Sequence, residues 1–215
     1  MKPARLLSLL GLAALLSSSA DTWAQSEVYY PPPGEWEHKK PEEVGMDSRL
    51  LATAIEYPGP AAVRFPRGSG FGVPMDPEIK ALPVGEAELL RGGDDVVIVA
   101  VGELVHPSLE AAEELAAEGV SAAVLNARFV KPLDIQRLLP LVARCGALVT
   151  VEVHTGPAGF GGAVLEAVAE AGLTPAARSL SVPDRLNEHG SSLEGLGLDA
   201  KGIARAVLDL LRRDA

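Results

Sequence analysis

The chain has 215 residues, which is enough for one ordinary domain or two small ones. Its net charge of −10 opposes binding to nucleic acid or to anionic lipid, so we expect neither as a partner. The only cysteine, Cys145, excludes an internal disulfide framework and a site built from several thiolates.

The N-terminal segment is typical of an export signal. Lys2 and Arg5 precede an apolar run over residues 6–16, and small residues suit cleavage after Ala24. The run is too short to cross a bilayer, which needs roughly 20 apolar residues. We therefore predict a signal peptide over residues 1–25 and no membrane span in the mature chain.

Residues 26–56 read as a proline-rich linker followed by a short helix. Consecutive prolines from Pro31 to Pro33 remove backbone donors and favour an extended chain. Asp47 is a suitable N-cap for a helix over residues 48–56, which must end before Pro58.

The same region resembles the opening of exported serine hydrolases of the β-lactamase and penicillin-binding type. The resemblance lies in Trp36 and in the stretch Pro-Glu-Glu-Val-Gly-Met-Asp at 41–47. The chemistry of that family requires a Ser-x-x-Lys nucleophile and a Lys-Thr-Gly strand, and the sequence contains neither. A working enzyme of that kind is therefore excluded.

Beyond residue 86, short apolar runs alternate with helical periods. The runs predict strands buried on both faces, and the periods predict helices that cover them. The predicted strands are residues 96–102, 120–129, 147–153 and 176–182, with residues 86–91 as an edge strand. The predicted helices are 107–118, 132–144 capped by Asp134, 163–170 and 201–213 capped by Asp199. This alternation predicts an α/β fold, a mostly parallel sheet with helices on both faces.

Two features near one strand end could carry chemistry. His154 comes just past a predicted buried strand, two residues after Glu152, at the carboxyl end where open parallel sheets usually bind ligands. The alternative is that Glu152 and His154 form a hydrogen-bonded pair that orients the next loop. The glycine-rich turn at 156–162, with Gly159 and Gly161, feeds a helix whose amides could hold an anion. Its alternative is close packing of the helix on the sheet, which also demands small residues.

Arg64 and Arg67 bracket a proline-fixed turn after a predicted apolar strand at 61–63. Guanidinium groups in such a place suit a phosphate or a carboxylate, and the alternative is a solvated loop. Cys145 stands at a predicted helix end and is interpreted as an inert small core residue. The four histidines lack ligand spacing, so no metal site is expected.

Several of these stretches together resemble 1-deoxy-D-xylulose-5-phosphate synthases, a family of the transketolase type. The resemblance starts at about residue 54 and ends near residue 213. It rests on Tyr-Pro-Gly-Pro-Ala-Ala-Val-Arg-Phe-Pro-Arg-Gly at 57–68, Asn-Ala-Arg-Phe-Val-Lys-Pro-Leu-Asp at 126–134, Leu-Val-Thr-Val-Glu at 148–152, Gly-Phe-Gly at 159–161, Pro-Asp-Arg at 183–185, Glu-His-Gly at 188–190 and Leu-Gly-Leu-Asp-Ala-Lys-Gly-Ile-Ala at 196–204. It implies that residues 57–85 are a remnant of a pyrimidine-binding domain with its linker, and that 86–215 form a transketolase C-terminal domain.

The resemblance also implies chemistry and partners. Members of the family are cytoplasmic homodimers that use thiamine diphosphate and Mg²⁺ to condense pyruvate with glyceraldehyde 3-phosphate. This reaction supplies isoprenoid and thiamine precursors, and the cofactor performs the bond-making. Arg67 matches the family arginine that contributes to holding the phosphate of the acceptor aldehyde.

The sequence also departs from the family pattern. The Gly-Asp-Gly motif that binds the metal and diphosphate is absent, and the glutamate that activates the cofactor lies upstream of the matching region. The loop Thr-Gly-Pro-Ala at 155–158 replaces the usual Met-Gly-Gly stretch. We therefore predict no catalytic residue and no cofactor bound by this chain alone. Two alternatives stay open: an exported module that binds a small anion, and a mis-joined fragment of an exported serine hydrolase.

Overall fold

The computed structural model of the chain describes residues 48–65, 80–187 and 192–213. The predicted signal peptide, the proline-rich part of the linker, Asp47 and Arg67 lie outside these ranges. The strands are β1 Glu88–Arg91, β2 Val96–Ala100, β3 Ala122–Asn126, β4 Ala147–Thr155 and β5 Ala176–Val182. The helices are α1 Ser48–Glu56, α2 Val105–Ala117, α3 Ile135–Cys145, α4 Phe160–Glu170, α5 Leu193–Leu196 and α6 Ala200–Arg213.

The five strands form one sheet in the order β1-β3-β2-β4-β5. Strands β2, β3, β4 and β5 run parallel to one another, whereas β1 pairs antiparallel with β3 at the edge. The predicted α/β fold with a mostly parallel sheet is confirmed, as is the edge strand within residues 86–91. Each crossover between parallel strands contains an α-helix, which is the usual connection between such strands.

Alternating residues of the strands feed two apolar cores. In β2, Val96, Ile98 and Ala100 face the core that lies under α2 and α6, whereas Val97 and Val99 face the core under α3 and α4. Every residue of β2 is fully buried, which is why the sequence of this strand is apolar at consecutive positions. Helices therefore cover both faces of the sheet, as predicted.

Asp134 and Asp199 cap the helices that they were predicted to cap. Asp134 accepts the Arg137 amide at 3.1 Å at the start of α3. At the start of α6, Asp199 accepts the Gly202 amide at 3.1 Å. These contacts satisfy amide groups that have no partner within the first turn of a helix.

Some predicted elements differ in extent, and one is wrong. Strand β3 is shorter than the predicted 120–129, because the backbone turns at Arg128, where φ is +53°. Strand β4 is two residues longer than predicted, because Thr155 still pairs with Val182. Residues 61–63 form no strand: Pro58 and Pro60 remove backbone donors nearby, and Ala61 and Ala62 are exposed.

Helix α1 forms as predicted and is fastened to the segment that leads into the sheet. The hydroxyl of Thr53 accepts the Leu82 amide at 2.6 Å and donates to the Arg49 carbonyl at 2.7 Å. Thr53 is buried, whereas Ile55 on the other side of the helix is 74% exposed. Across the described ranges, none of the helices combines the length and the apolar character that a bilayer crossing needs.

Candidate functional site

The most unusual buried group is the carboxylate of Glu152, near the end of β4. Its residue is 2% exposed, and its two oxygens accept the amides of Phe160 at 2.8 Å and Gly161 at 2.7 Å. Those amides belong to the first turn of α4, where the helix dipole favours negative charge. The carboxylate therefore caps α4 from a strand eight residues earlier in the chain.

Glycines at positions 159 and 161 permit this close approach. A Cβ at Gly159 would lie 2.6 Å from both carboxylate oxygens of Glu152 and 2.7 Å from the Thr155 carbonyl. A Cβ at Gly161 would lie 2.5 Å from the Thr150 hydroxyl. Both distances are far below van der Waals contact, so a side chain at either position would separate α4 from β4. The glycine-rich turn therefore brings α4 close to β4.

A second polar contact lies beside the carboxylate. Fully buried Thr150 donates its hydroxyl to Ser179 of β5 at 2.9 Å. Thr150 and Glu152 lie on the same side of β4, two residues apart, facing α4. Together they form a small polar cluster within an otherwise apolar layer.

His154 is separate from this cluster. It is exposed, and its Nδ1 lies 2.9 Å from the carbonyl of Thr155. Glu152 does orient the following loop, but its partners are backbone amides rather than the imidazole of His154. His154 also lies within β4 and not just beyond it as predicted, whereas Glu152 lies within the strand as predicted.

Arg64 reaches the same end of β4. Its guanidinium donates to the Val153 carbonyl at 3.0 Å, so the segment that precedes the domain touches the strand that carries Glu152 and His154. Arg67, the predicted phosphate ligand, lies outside the described residues. The structure therefore gives Arg64 a backbone contact and brings it to the end of β4.

The stretch at 126–134 makes contacts that join β1 to α3. The Asp134 carboxylate accepts the Ala87 amide at 2.9 Å in addition to capping α3, which ties the start of β1 to this helix. Arg128 pairs with Glu88 of β1. The bond between Lys131 and Pro132 is cis.

Cys145 ends α3 and is half-buried. Its thiol lies 3.5 Å from the Gly93 carbonyl, and burial raises the pKa of the Cys145 thiol despite the neighbouring Arg144. A raised pKa lowers the thiolate fraction near neutral pH, so the environment of Cys145 is that of an unreactive thiol.

This arrangement leaves little room for an anion at the start of α4. The two amides that could bind a phosphate donate hydrogen bonds to Glu152 instead, and the negative charge of Glu152 would repel a phosphate. Within residues 48–65, 80–187 and 192–213, no group of three or more His, Cys, Asp or Glu residues is placed to hold a metal ion. The described residues do not fit a diphosphate–metal pair.

Thr150 and Ser179 were not predicted as members of this cluster. The signal for Thr150 was present, because it is the one hydroxyl within the apolar run of residues 147–151. Nothing in the sequence pairs it with Ser179, which is 29 residues away.

Comparison with known proteins defines the class. The family model for the transketolase C-terminal domain matches residues 85–203. This match covers more than half of the chain and includes all five strands and the Glu152 cluster. The chain belongs to the transketolase C-terminal domain family.

The relatives narrow this class further. The chain is 45% identical over 177 residues to 1-deoxy-D-xylulose-5-phosphate synthase of Heliobacterium modesticaldum, covering 81% of this chain and 27% of the relative. It is 50% identical over 166 residues to the Thermomicrobium roseum enzyme of the same name, covering 75% of this chain and 26% of the relative. The predicted resemblance to the C-terminal domain of these synthases is confirmed. The comparisons support neither the anion-binding module nor the hydrolase fragment.

The extent of these matches adds two points. The chain spans about a quarter of the length of the curated relatives that it matches. A match that covers 81% of the chain has to begin upstream of residue 54, where the sequence motifs suggest that the resemblance starts. Helix α1 therefore falls within sequence that is related to the synthases.

One solved structure is similar at the level of fold and sequence. It is described as a split gene transketolase, inactive beta4 tetramer. The TM-score is 0.69 at 35% identity, and the match covers 76% of this chain and 53% of the other.

Proposed function

We propose that this chain supplies the C-terminal domain of a 1-deoxy-D-xylulose-5-phosphate synthase and is inactive without the upstream domains of such an enzyme. The observation that carries the proposal is the capped start of α4. At the helix start that could offer amides to a phosphate, Phe160 and Gly161 donate to Glu152 instead. The role of the domain is then to pack against the domains that hold the cofactor.

The cofactor of the assembled enzyme would be thiamine diphosphate with Mg²⁺, bound outside this domain. In support, the 215 residues contain no Gly-Asp-Gly sequence, which is the motif that holds the metal and diphosphate in this family. The substrates would be pyruvate and glyceraldehyde 3-phosphate. Glu152, Gly159 and Gly161 would keep the β4–α4 junction rigid, and neither these residues nor His154 would touch the reacting atoms.

Arg67 would contribute to holding the phosphate of the acceptor aldehyde in the assembled enzyme. Two properties of arginine support this role: its charge is permanent, and its planar fork matches phosphate oxygens. Arg64 serves as the matched control, because its guanidinium is already used on the Val153 carbonyl. In an active assembly, Arg67→Ala should raise the KM for glyceraldehyde 3-phosphate more than Arg64→Ala does, with little change in the KM for pyruvate.

The chain would also self-associate. The synthase family is dimeric, and the structure that resembles this chain is described as an inactive tetramer of one component of a split transketolase. By analogy, this chain would be one component that acquires activity with a second polypeptide or domain. Its predicted signal peptide implies export, whereas the family is cytoplasmic, and the mass of the mature chain would decide whether the leader is removed.

Calorimetric titration of the purified chain with thiamine diphosphate and Mg²⁺ tests the proposal. The expected result is no saturable heat up to millimolar cofactor, with the whole Thermomicrobium roseum synthase as a positive control in the same buffer. Saturable binding with a micromolar Kd by this chain alone would contradict it.

A further inference from the structure

The outer edge of β5 presents an unpaired row of backbone groups. Within the described residues, β5 is the last strand of the sheet and pairs only with β4. The amide of Ala176 donates to the Gly146 carbonyl at 3.0 Å, so the backbone groups of Ala176 point towards β4. Because these groups alternate in direction along a strand, those of Ala177, Ser179 and Ser181 point to the outer edge.

Natural sheets usually protect such an edge with charge, proline or a bulge. Strand β5 contains no proline, and the irregular register of its pairing with β4 places the extra residues in β4 rather than in β5. Its one charged residue, Arg178, is turned towards α6, where its guanidinium lies 3.9 Å from Asp209. By contrast, β1 at the opposite edge is four residues long and has an irregular register between Leu89 and Arg91. The two edges of the sheet therefore differ in their capacity to add a strand.

The side chains beside the β5 edge are small and uncharged. Ala177 and Ser179 are exposed on the α4 side of the sheet, whereas Leu180 and Val182 pack into the core under α2 and α6. On that side of β5, an extended segment would meet the small side chains of Ala177 and Ser179. Since each copy of the chain carries a net charge of −10, two copies are best joined where neither contributes charge.

We propose that a second copy of this chain pairs with the β5 edge, antiparallel about a twofold axis at Ser179. In this register Ser179 faces its counterpart, and Ala177 faces Ser181 of the second copy. Each of these pairs exchanges two N–H···O bonds, which gives about six backbone hydrogen bonds and one sheet continuous through both copies. A twofold axis makes the contact self-complementary, as in most dimers of identical chains.

In this proposal, the outer edge of β5 is the surface through which the chain self-associates, as proposed above. The structure that resembles this chain at 35% identity is itself an assembly of one kind of subunit, which favours a second copy over an unrelated partner. The inference depends on self-association but not on the cofactor. A monomeric chain would overturn the β5 pairing and leave the cofactor part of the proposal intact.

Sedimentation of the full chain and of two variants tests the pairing. Ala177→Pro removes an outward N–H and leaves the bonds to β4 in place, because proline is tolerated where the strand faces solvent. Ala177→Ser keeps the N–H and is the matched control. We expect the wild type and Ala177→Ser to associate with similar Kd values, and Ala177→Pro to associate at least about tenfold more weakly, from the loss of two backbone hydrogen bonds.

Hydrogen exchange provides a second measurement if Ala177→Pro does not fold. The amides of Ala177, Ser179 and Ser181 should exchange slowly at high chain concentration and faster on dilution, while the amide of Ala176 stays protected throughout. Concentration-independent protection of the outward amides would mean that a segment of the same chain covers this edge. That result, or association unaffected by Ala177→Pro, would overturn the proposal.

Discussion

Replacing Glu152 by glutamine removes one charge and leaves the shape of the side chain unchanged. The carboxylate accepts two amides of α4 at 2.8 and 2.7 Å in a buried position. A glutamine offers one oxygen and would turn its NH₂ group towards the other amide. One buried N–H at the start of α4 would therefore lose its acceptor.

The size of the effect follows from these contacts. A hydrogen bond to a charged group contributes about 1.5–3 kcal/mol, and the charge at a helix N-terminus adds about 0.3–1 kcal/mol. Glu152→Gln should therefore lower the free energy of unfolding by about 2–4 kcal/mol. This is a large part of the stability of a typical domain, about 5–15 kcal/mol.

Urea denaturation followed by circular dichroism measures this difference. Glu166 provides the control, because it is an exposed carboxylate on the same helix, and Glu166→Gln should change stability by less than about 0.5 kcal/mol. If Glu152→Gln were as stable as Glu166→Gln, the carboxylate would not hold α4 on the sheet, and the account of this junction would be refuted.

Three further changes probe the same fold. Gly159→Ala should lower the free energy of unfolding by about 1–3 kcal/mol, because its methyl group would overlap the Glu152 carboxylate. Gly162→Ala, whose Cβ would have no atom nearby, should raise the free energy of unfolding by about 0.5–1 kcal/mol. Equal urea midpoints for the two variants would contradict this. Asp134→Ala should lower the free energy of unfolding by about 1–3 kcal/mol, since it removes the cap of α3 and the acceptor of the Ala87 amide. Asp134→Asn should lower it less in the same assay. If Asp134→Ala did not change the stability, Asp134 would not hold α3 and the start of β1 together. Burial raises the pKa of the Cys145 thiol, so alkylation by iodoacetamide should be slower at pH 8 than for the unfolded chain, and equal rates would disprove it. Because the unfolded thiol ionises first, stability should fall as pH rises from the ordinary thiol pKa towards the raised pKa of the folded state.

The elements that could be predicted are those whose signal is local. The apolar run of β2 predicts a strand buried on both faces, and Asp134 and Asp199 predict the starts of α3 and α6 from their cap positions alone. A helix cap depends on contacts between residues close in the chain, and a strand buried on both faces is recognisable because its residues are apolar.

The polar cluster could be predicted only in part, because its contacts are distant in sequence. Glu152 stands out as an acidic residue at the end of an apolar run, but its partners lie in the first turn of α4. The closeness of Glu152 and His154 in sequence favours a hydrogen-bonded pair of these two side chains. The structure favours the amides because they have no other acceptor within the helix.

At residues 61–63, the local pattern predicts a strand that the structure does not contain. A short apolar run satisfies the pattern of a strand, yet a strand exists only where a neighbour pairs with it. Prolines at positions 58 and 60 remove donors there, and the segment forms no strand, with Ala61 and Ala62 exposed. The composition of a short segment does not show whether a neighbouring strand is available to pair with it.

The most direct test of the central claim joins this domain to the upstream part of a related synthase. The fusion carries the Thermomicrobium roseum enzyme up to the region that matches this chain, followed by residues 48–215. With thiamine diphosphate, Mg²⁺, pyruvate and glyceraldehyde 3-phosphate, the fusion should release carbon dioxide, and the purified chain alone should release none. Turnover by the chain alone, or a folded fusion that binds the cofactor but is inactive, would contradict the assignment of this chain as the C-terminal domain of such an enzyme.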